Sequence, residues 1–315
     1  MLKFRTSLLA LFVLVFLVPS FTAQSQDKEK KEKKVYNGTP VMWRAPTDIE
    51  SRNLLVGAGG EAMKPDLSRV TFVEVKEGGW STKYRVTDGK GNEWVAKLSK
   101  EAQPETAANR LLWAVGYETE ISHLVPELEI IGKGTFKNVR LEARPKHVKR
   151  DGFWLWNNNP FTGKPEFQGL KIMMVFFNNW DMKDDNNVIF VTKGDTSSER
   201  RHAVSDLGAT FGKTGGIISR SRNKPEDYVK AEFIKGVQGN VIDFHYGGKN
   251  GKVFEGITVQ DAKWLASWLT RLSDEQIKDA FRSANYSPEE VSQLAGAVRS
   301  RIEALNRISA NVAAN

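Results

Sequence analysis

The chain has 315 residues, of which 40% are hydrophobic, so it is long enough to bury a sizeable core in one two-lobed domain or two small ones. It contains no cysteine, which excludes disulfides and cysteine-ligated metal sites. The formal net charge is +8, but Lys3, Arg5 and the run Lys28–Lys34 together supply five of those eight charges. The rest of the chain has only a small positive excess, which does not favour binding to nucleic acid.

Residues 1–25 have the pattern of a secretory signal peptide. A positively charged start precedes a short apolar region at Leu8–Val18, and Ala23-Gln24-Ser25 fits a cleavage site of small residues. The apolar run is shorter than the roughly 20 residues needed to cross a bilayer, and an uncleaved membrane anchor is the alternative. We therefore predict a periplasmic or extracellular protein with no transmembrane span after signal cleavage. Residues 26–40 follow as a charged, flexible linker.

Three runs at the start of the predicted folded region have the polarity and flanking turns of strands. They are Val70–Val75, Lys83–Thr87 and Glu93–Leu98. The turn after the first run contains Gly78 and Gly79, whose backbone N–H groups could approach phosphates; an ordinary turn is the alternative. The third run contains Val95-Ala96-Lys97, which places a lysine near the end of a strand.

The segment Pro104–Gly116 has the pattern of a helix, with proline at its first position and glycine at its C-terminal end. Glu105 shares a face with the apolar residues of this helix. A carboxylate on an inward face needs a partner because an unpaired buried charge is costly, and Lys97 on the preceding strand is the natural one. Two alternatives stay open: a surface Glu105 that stabilises the helix N-terminus, and Glu101 as the partner of the lysine.

The stretch Asn179–Asn187 contains an aspartate, a lysine two residues later and an asparagine five residues later. Asp181 could accept the proton of an attacking hydroxyl, Lys183 could neutralise charge on a transferred phosphoryl group, and Asn186 could bind a metal ion. The pattern D-x-K-x-x-N arises by chance at roughly 1 in 8,000 positions, so it suggests this chemistry without establishing it. A polar turn rich in Asp and Asn is the alternative.

The segments on either side fit a supported catalytic loop. Gln168–Asn178 is apolar along its length and predicts a buried helix that holds the loop in place. Val188–Val191 and His202–Ser205 predict a hairpin of two strands, which ends in Asp206-Leu207-Gly208. Asp206 at this position could bind a metal ion that bridges phosphates. A simple turn at the end of a strand is the alternative.

The remainder of the chain gives weaker signals. Ala209–Lys224 is rich in glycine and basic residues, which fits either a substrate-binding segment or a mobile surface loop. From residue 258 the pattern is helical, and Ser273 and Ser287 begin capping boxes.

Six residues occur in the order in which protein kinases place their functional residues. They are Lys97, Glu105, Asp181, Lys183, Asn186 and Asp206. The chain therefore resembles the protein-kinase-like superfamily over roughly residues 66–310. Its compact layout is similar to the atypical branches: the HipA-like, phosphatidylinositol 3-/4-kinase-like and secretory-pathway kinases. It departs from the family pattern in lacking His-Arg before Asp181, a complete glycine-rich loop and an A-P-E sequence. Two stretches, which begin at Trp43 and Pro104, also resemble secreted bacterial proteins of undefined role.

The resemblance implies an α+β, two-lobed fold, with a small antiparallel β lobe at 41–148 and a mainly helical lobe at 149–315. It implies ATP and Mg²⁺ (or Mn²⁺) as cofactors. Lys97, held by Glu105, would contact the phosphates together with the turn at Gly78 and Gly79. Two further residues, Asn186 and Asp206, would bind the metal.

The implied reaction is transfer of the ATP γ-phosphate to a hydroxyl acceptor, with Asp181 and Lys183 at the reacting atoms. The acceptor could be a protein, a lipid, a glycan or a small molecule. A catalytically inactive, pseudokinase-like nucleotide- or protein-binding module is the first alternative, because ATP is scarce outside the cytoplasm. Transfer of AMP by the same fold is the second.

Overall fold

The structure is a computed structural model that describes residues 35–78 and 81–311. The predicted signal peptide at 1–25, most of the predicted linker and Gly79 lie outside these residues. The described part combines an antiparallel sheet with several helices, which confirms the predicted α+β class. The predicted division into lobes at residue 148 stays a prediction.

The largest sheet is antiparallel and has the strand order β2-β3-β4-β6-β5. Its strands are β2 (Thr71–Lys76), β3 (Thr82–Thr87), β4 (Glu93–Leu98), β5 (Ser122–Ile130) and β6 (Gly134–Ala143). Asp88 fixes the turn between β3 and β4 by accepting the backbone N–H of Asn92 and the indole N–H of Trp94. β4 is the central strand, so Lys97 lies between two neighbouring strands rather than at an edge.

Helix α1 (Ala102–Ala114) connects this sheet to the helical part of the molecule, since it contacts β5, β6 and the later helix α5 (Asp274–Arg282). Nearly all of its side chains are buried, including polar ones. Asn109 donates to the backbone oxygen of Glu120, and Arg110 donates to that of Ser122. These bonds satisfy buried donors and fix α1 against the sheet.

A second sheet has the order β1-β9-β8-β7, in which β1 is parallel to β9 and the other pairs are antiparallel. Its strands are β1 (Pro40–Val41), β7 (Val148–Arg150), β8 (Asn187–Thr192) and β9 (Arg200–Val204). The loop before β8 follows the buried helix α2 (Pro165–Phe176). The backbone oxygen of Asn186 accepts N–H groups from Ser205 and Asp206 at 2.7 and 3.1 Å, so this loop and the end of β9 are held together.

The C-terminal part contains helices α3 (Pro225–Lys230), α4 (Val259–Leu269), α5 and α6 (Pro288–Asn311), with a hairpin of β10 (Ile234–Gln238) and β11 (Val241–Phe244). The capping boxes predicted at Ser273 and Ser287 are both confirmed by reciprocal hydrogen bonds. Across 35–78 and 81–311, no helix is long and apolar enough to cross a membrane.

Within the described residues, three hydrophobic clusters hold these layers together, the smallest of which lies on the second sheet around Val188, Phe190 and Ala203. Of the other two, the larger one contains α2, parts of α1 and the C-terminal helices. The smaller one lies on the five-stranded sheet around Val86, Trp94 and Leu141. The polar cleft described below is lined by residues of that sheet, of the loop after α2 and of the end of β9.

Candidate active site

Lys97 lies at the inner end of a polar cleft, where three carboxylates surround its ammonium group. Its Nζ lies 2.8 Å from Glu105 Oε2, 3.0 Å from Glu101 Oε2 and 3.4 Å from Asp206 Oδ1. The structure thus pairs the lysine with both candidate partners, Glu105 and Glu101. Burial alone would lower the pKa of Lys97, but the charges of Glu105 and Asp206 outweigh it and raise the pKa above its ordinary value. The side chain is therefore a buried, permanently charged cation.

Glu105 is held from its other side by Arg140 on β6. Residues Arg140 and Lys97 are register partners on adjacent strands, so their side chains leave the same face of the sheet. Arg140 Nη1 lies 3.4 Å from Glu105 Oε1. Burial raises the pKa of Glu105, and the two cations oppose that shift. A carboxylate fixed between two cations can in turn fix the lysine in one position.

The same arginine begins a buried network that reaches β9. Arg140 binds Glu120 at 2.7 Å and Glu142 at 3.2 Å, and both carboxylates also pair with Arg150. Ser205 donates its hydroxyl to Glu120 at 2.7 Å, directly before Asp206 in the chain. The network therefore fixes the sheet, β7 and the end of β9 relative to one another. The sequence analysis predicted none of its members beyond Glu105.

Asp181 lies in the loop between α2 and β8, with a cation on each carboxylate oxygen. Its Oδ1 lies 2.6 Å from Lys249 Nζ, and its Oδ2 lies 3.2 Å from Lys183 Nζ. Asn186 donates its amide N–H to the backbone oxygen of Asp181 at 2.6 Å, which closes the loop. Burial raises the pKa of Asp181, but the hydrogen bonds from Lys249 and Lys183 outweigh it and hold the pKa below its ordinary value. Asp181 is therefore a carboxylate at neutral pH.

The two predicted metal ligands, Asp206 and Asn186, both line the cleft. Asp206 Oδ1 accepts the N–H of Gly208 at 3.1 Å and faces Lys97. Burial raises the pKa of Asp206, yet Lys97 and this N–H outweigh it and lower the pKa, so the group is ionised. Within the described residues, Asp206 Oδ2 and Asn186 Oδ1 accept no hydrogen bond. Two free oxygen ligands suit Mg²⁺, which usually completes its shell with phosphates and water. The described residues contain no group of three or more acidic or histidine side chains that could hold a metal ion.

The cleft has a volume of about 590 Å³. Seven cationic side chains and four carboxylates are among its described lining residues, so it suits a polyanion. Gly78 has φ of +98° but does not belong to this lining. The turn instead contributes Ser81, whose hydroxyl donates to Glu101 at 2.8 Å.

Five cations of the lining were not predicted from the sequence: Lys83, Arg150, Arg220, Arg222 and Lys249. Lys83 is the register partner of Lys97 on β3, and a strand-pairing argument could have found it. Arg220 and Arg222 belong to the segment Ala209–Lys224, whose sequence fits either a substrate-binding segment or a mobile surface loop. Lys249 follows the β10–β11 hairpin, and its backbone N–H donates to the oxygen of Trp180 at 2.9 Å. No local sequence signal places it beside Asp181, because the contact spans 68 residues.

No protein-family model matches the sequence, and no curated protein matches it. Among solved structures, the Helicobacter pylori proinflammatory kinase CtkA is similar over 76% of this chain and 97% of its own, with 11% identity and a TM-score of 0.50. The Rio2 kinase of Chaetomium thermophilum, in a complex with ADP, Mg²⁺ and phosphoaspartate, aligns over 77% of this chain and 74% of its own, with 11% identity. Its TM-score of 0.32 is too low to support a conclusion. The likeness to CtkA establishes the fold alone: the chain has the protein-kinase-like fold that the resemblance implied. The atypical branch and the secreted status stay predictions.

Proposed function

We propose that the chain is an ATP- and metal-dependent phosphotransferase that transfers the γ-phosphate of ATP to a hydroxyl acceptor. The proposal rests on one observation above all. Lys97 and Asp206 are 109 residues apart in the sequence, yet they meet at 3.4 Å in a cleft that also contains Asp181 and Asn186. The similar H. pylori protein is described as a kinase, which supports the same class of reaction.

On the donor side, Lys97 would bind the phosphate oxygens of ATP. Its ammonium group is already positioned by Glu105, which Arg140 holds from behind. Asp206 and Asn186 would bind Mg²⁺ (or Mn²⁺) through their free oxygens. When bound, that ion neutralises charge on the phosphates. Because these side chains are fixed in advance, little reorganisation accompanies the reaction.

On the acceptor side, Asp181 would orient the hydroxyl and accept its proton. Its lowered pKa makes it a weak base, so we expect it to position the hydroxyl early and to accept the proton late. Lys183 would neutralise charge on the phosphoryl group in transfer. Both side chains line the same cleft as Lys97.

Mutation of the two aspartates tests the assignment. The parent chain should release ADP from Mg-ATP and incorporate label from γ-labelled ATP. Asp181→Ala and Asp206→Ala should each reduce turnover by about 100-fold or more, since each removes a preorganised charge. Asp195→Ala is the matched control, because Asp195 lies exposed in the β8–β9 turn. An active Asp206→Ala protein would contradict the assignment.

The same assay separates the two alternatives. Incorporation of label from α-labelled ATP, with release of pyrophosphate, would identify AMP transfer. Nucleotide binding without any turnover would identify a pseudokinase-like binding module. We also propose that the chain is exported, because of the signal-like pattern at 1–25. Cell fractionation with determination of the mature N-terminus tests this; a cytoplasmic protein with an intact N-terminus would contradict it.

A further inference from the structure

Two arginines stack on the aromatic ring of Trp180 at the outer side of the cleft. The guanidinium carbons of Arg220 and Arg222 lie 4.1 and 4.7 Å from the ring centroid. The ring is itself fixed, because Trp180 Nε1 donates to the backbone oxygen of Ser221 at 2.9 Å. A stacked guanidinium keeps its edge N–H donors available to a planar or tetrahedral anion. Trp180 therefore holds two cations in place without using their hydrogen bonds.

The two arginines differ in their polar partners. Arg222 pairs with Glu101, which also binds Lys97. The side chain of Arg220 makes no hydrogen bond or ion pair within the described residues, although it lines a cleft rich in charge. By contrast, Arg140 and Arg150 each pair with two carboxylates, those of Glu120 and Glu142. Arg220 is therefore free to bind an external anion.

The position of Arg220 assigns that anion to the acceptor rather than to ATP. Trp180 directly precedes Asp181, the residue proposed to orient the attacking hydroxyl. Lys249 lies on the same side, with its Nζ 2.6 Å from Asp181 Oδ1. The donor phosphates would instead be bound by Lys97 and by Lys83, its partner on the neighbouring strand. Lys83 also lines the cleft and has no ion pair within the described residues.

We propose that the acceptor is a phosphate ester that also carries a hydroxyl group, with its phosphate bound by Arg220, Arg222 and Lys249. All three of these cationic residues contact Trp180, and a group of neighbouring cations suits a tetrahedral dianion better than a single carboxylate. The proposal rests on the phosphotransferase function and names its substrate class. In the reaction, the acceptor oxygen forms a bond to the γ-phosphorus while the bond from that phosphorus to the β–γ bridging oxygen breaks. ADP leaves with the electron pair, and the hydroxyl proton passes to Asp181.

The test uses inorganic phosphate as the probe and the full chain saturated with Mg-ADP, so that the donor site is filled except for the γ-phosphate position. Phosphate bound at that position should be insensitive to Arg220→Gln. Isothermal titration calorimetry should detect phosphate binding in the parent. Arg220→Gln should weaken it by about tenfold or more, as expected for loss of a charged hydrogen bond, while the affinity for Mg-ADP changes by less than about twofold. Lys213→Gln is the matched control: it removes one charge from the same segment, but Lys213 is exposed and does not line the cleft.

The assignment would be overturned by no phosphate binding, by unchanged phosphate affinity in Arg220→Gln, by equal weakening in the control, or by parallel loss of Mg-ADP affinity in Arg220→Gln. If the parent fails to bind Mg-ADP at all, the phosphotransferase function itself is contradicted, and the acceptor assignment is lost with it. Competition between glycerol 3-phosphate and a phosphoserine peptide then distinguishes a small phosphate ester from a phosphorylated protein. Failure of both to displace inorganic phosphate would also count against the proposal.

Discussion

The cleft and the sheet behind it contain two cationic regions that differ in their exposure to water. On the sheet side, the side chains of Lys97 and Arg140 are 5% and 1% exposed, and each contacts at least two carboxylates. On the outer side, Lys183 and Lys249 are 39% and 44% exposed and share the single carboxylate of Asp181. Buried charges must be matched for the chain to fold, whereas exposed charges can exchange partners at little cost.

This difference in exposure indicates that the two regions have different roles. The inner region is a rigid frame that should control stability and the position of the donor. The outer region contributes little to stability and should instead control the acceptor and the pH dependence of the reaction. Mutations in the two regions should therefore affect different measurements.

The largest effect should come from Arg140→Met in the inner region. This change leaves Glu105, Glu120 and Glu142 with one cation fewer in a buried site, so we expect a loss of about 3–5 kcal/mol in the free energy of unfolding. Urea unfolding measures it. Arg220→Gln is the comparison variant in the outer region, and it should change the free energy of unfolding by no more than about 0.5 kcal/mol. Similar losses in the free energy of unfolding for the two variants would contradict the claim that the inner region alone controls stability.

A second effect concerns the acid stability of the same sheet. His123 on β5 is buried, and burial together with the charge of Arg110 lowers its pKa from 6.5 to about 4. The unfolded chain thus binds a proton that the folded chain does not, so stability should fall as the pH decreases from 6.5 to about 4. The contribution is roughly 3 kcal/mol. Urea unfolding at several pH values should show a flatter dependence for His123→Gln.

Exposed His147 provides the control for this titration. The variant His147→Gln, which removes a solvent-exposed histidine, is subjected to urea unfolding under the same conditions. If the free energy of unfolding of His123→Gln still falls as steeply as that of the parent between pH 6.5 and 4, the buried histidine does not cause this pH dependence.

The smallest effect should appear in the outer region, as a shift of the pH–rate profile. Lys249 helps to hold the pKa of Asp181 below its ordinary value, and the proposed reaction needs the ionised carboxylate. Removing this cation in Lys249→Ala should raise that pKa, so the acid limb of kcat/KM should move to higher pH by up to about one unit. Exposed Lys252, three residues later, provides the control variant Lys252→Ala. An unchanged acid limb of kcat/KM in Lys249→Ala would show that Lys249 does not lower the pKa of Asp181.

The sequence was sufficient to predict the residues that follow a fixed order and spacing. Six residues were found this way, and all six lie in or directly beside the cleft: Lys97, Glu105, Asp181, Lys183, Asn186 and Asp206. Their roles stay predictions until activity is measured. The cations that complete the site could not be found by spacing, because tertiary packing places them there.

The missed elements have a similar explanation. The strands of the β10–β11 hairpin are short: β10 has no buried residue, and β11 alternates between exposed and buried residues over only four positions, although the turn at Gly239-Asn240 was a usable signal. Helix α3 is short, and only Pro225 at its start marked it. Missing this region also concealed Lys249, because the segment after β11 brings that lysine to Asp181.

The most direct test of the central claim is calorimetric titration of the full chain with Mg-ATP, with Asp206→Ala and Asp195→Ala in parallel. The parent and Asp195→Ala should bind the nucleotide in a magnesium-dependent manner, and Asp206→Ala should lose about tenfold or more in affinity. Absence of binding at millimolar Mg-ATP, or equal affinity in Asp206→Ala, would contradict the assignment of this cleft as an ATP site.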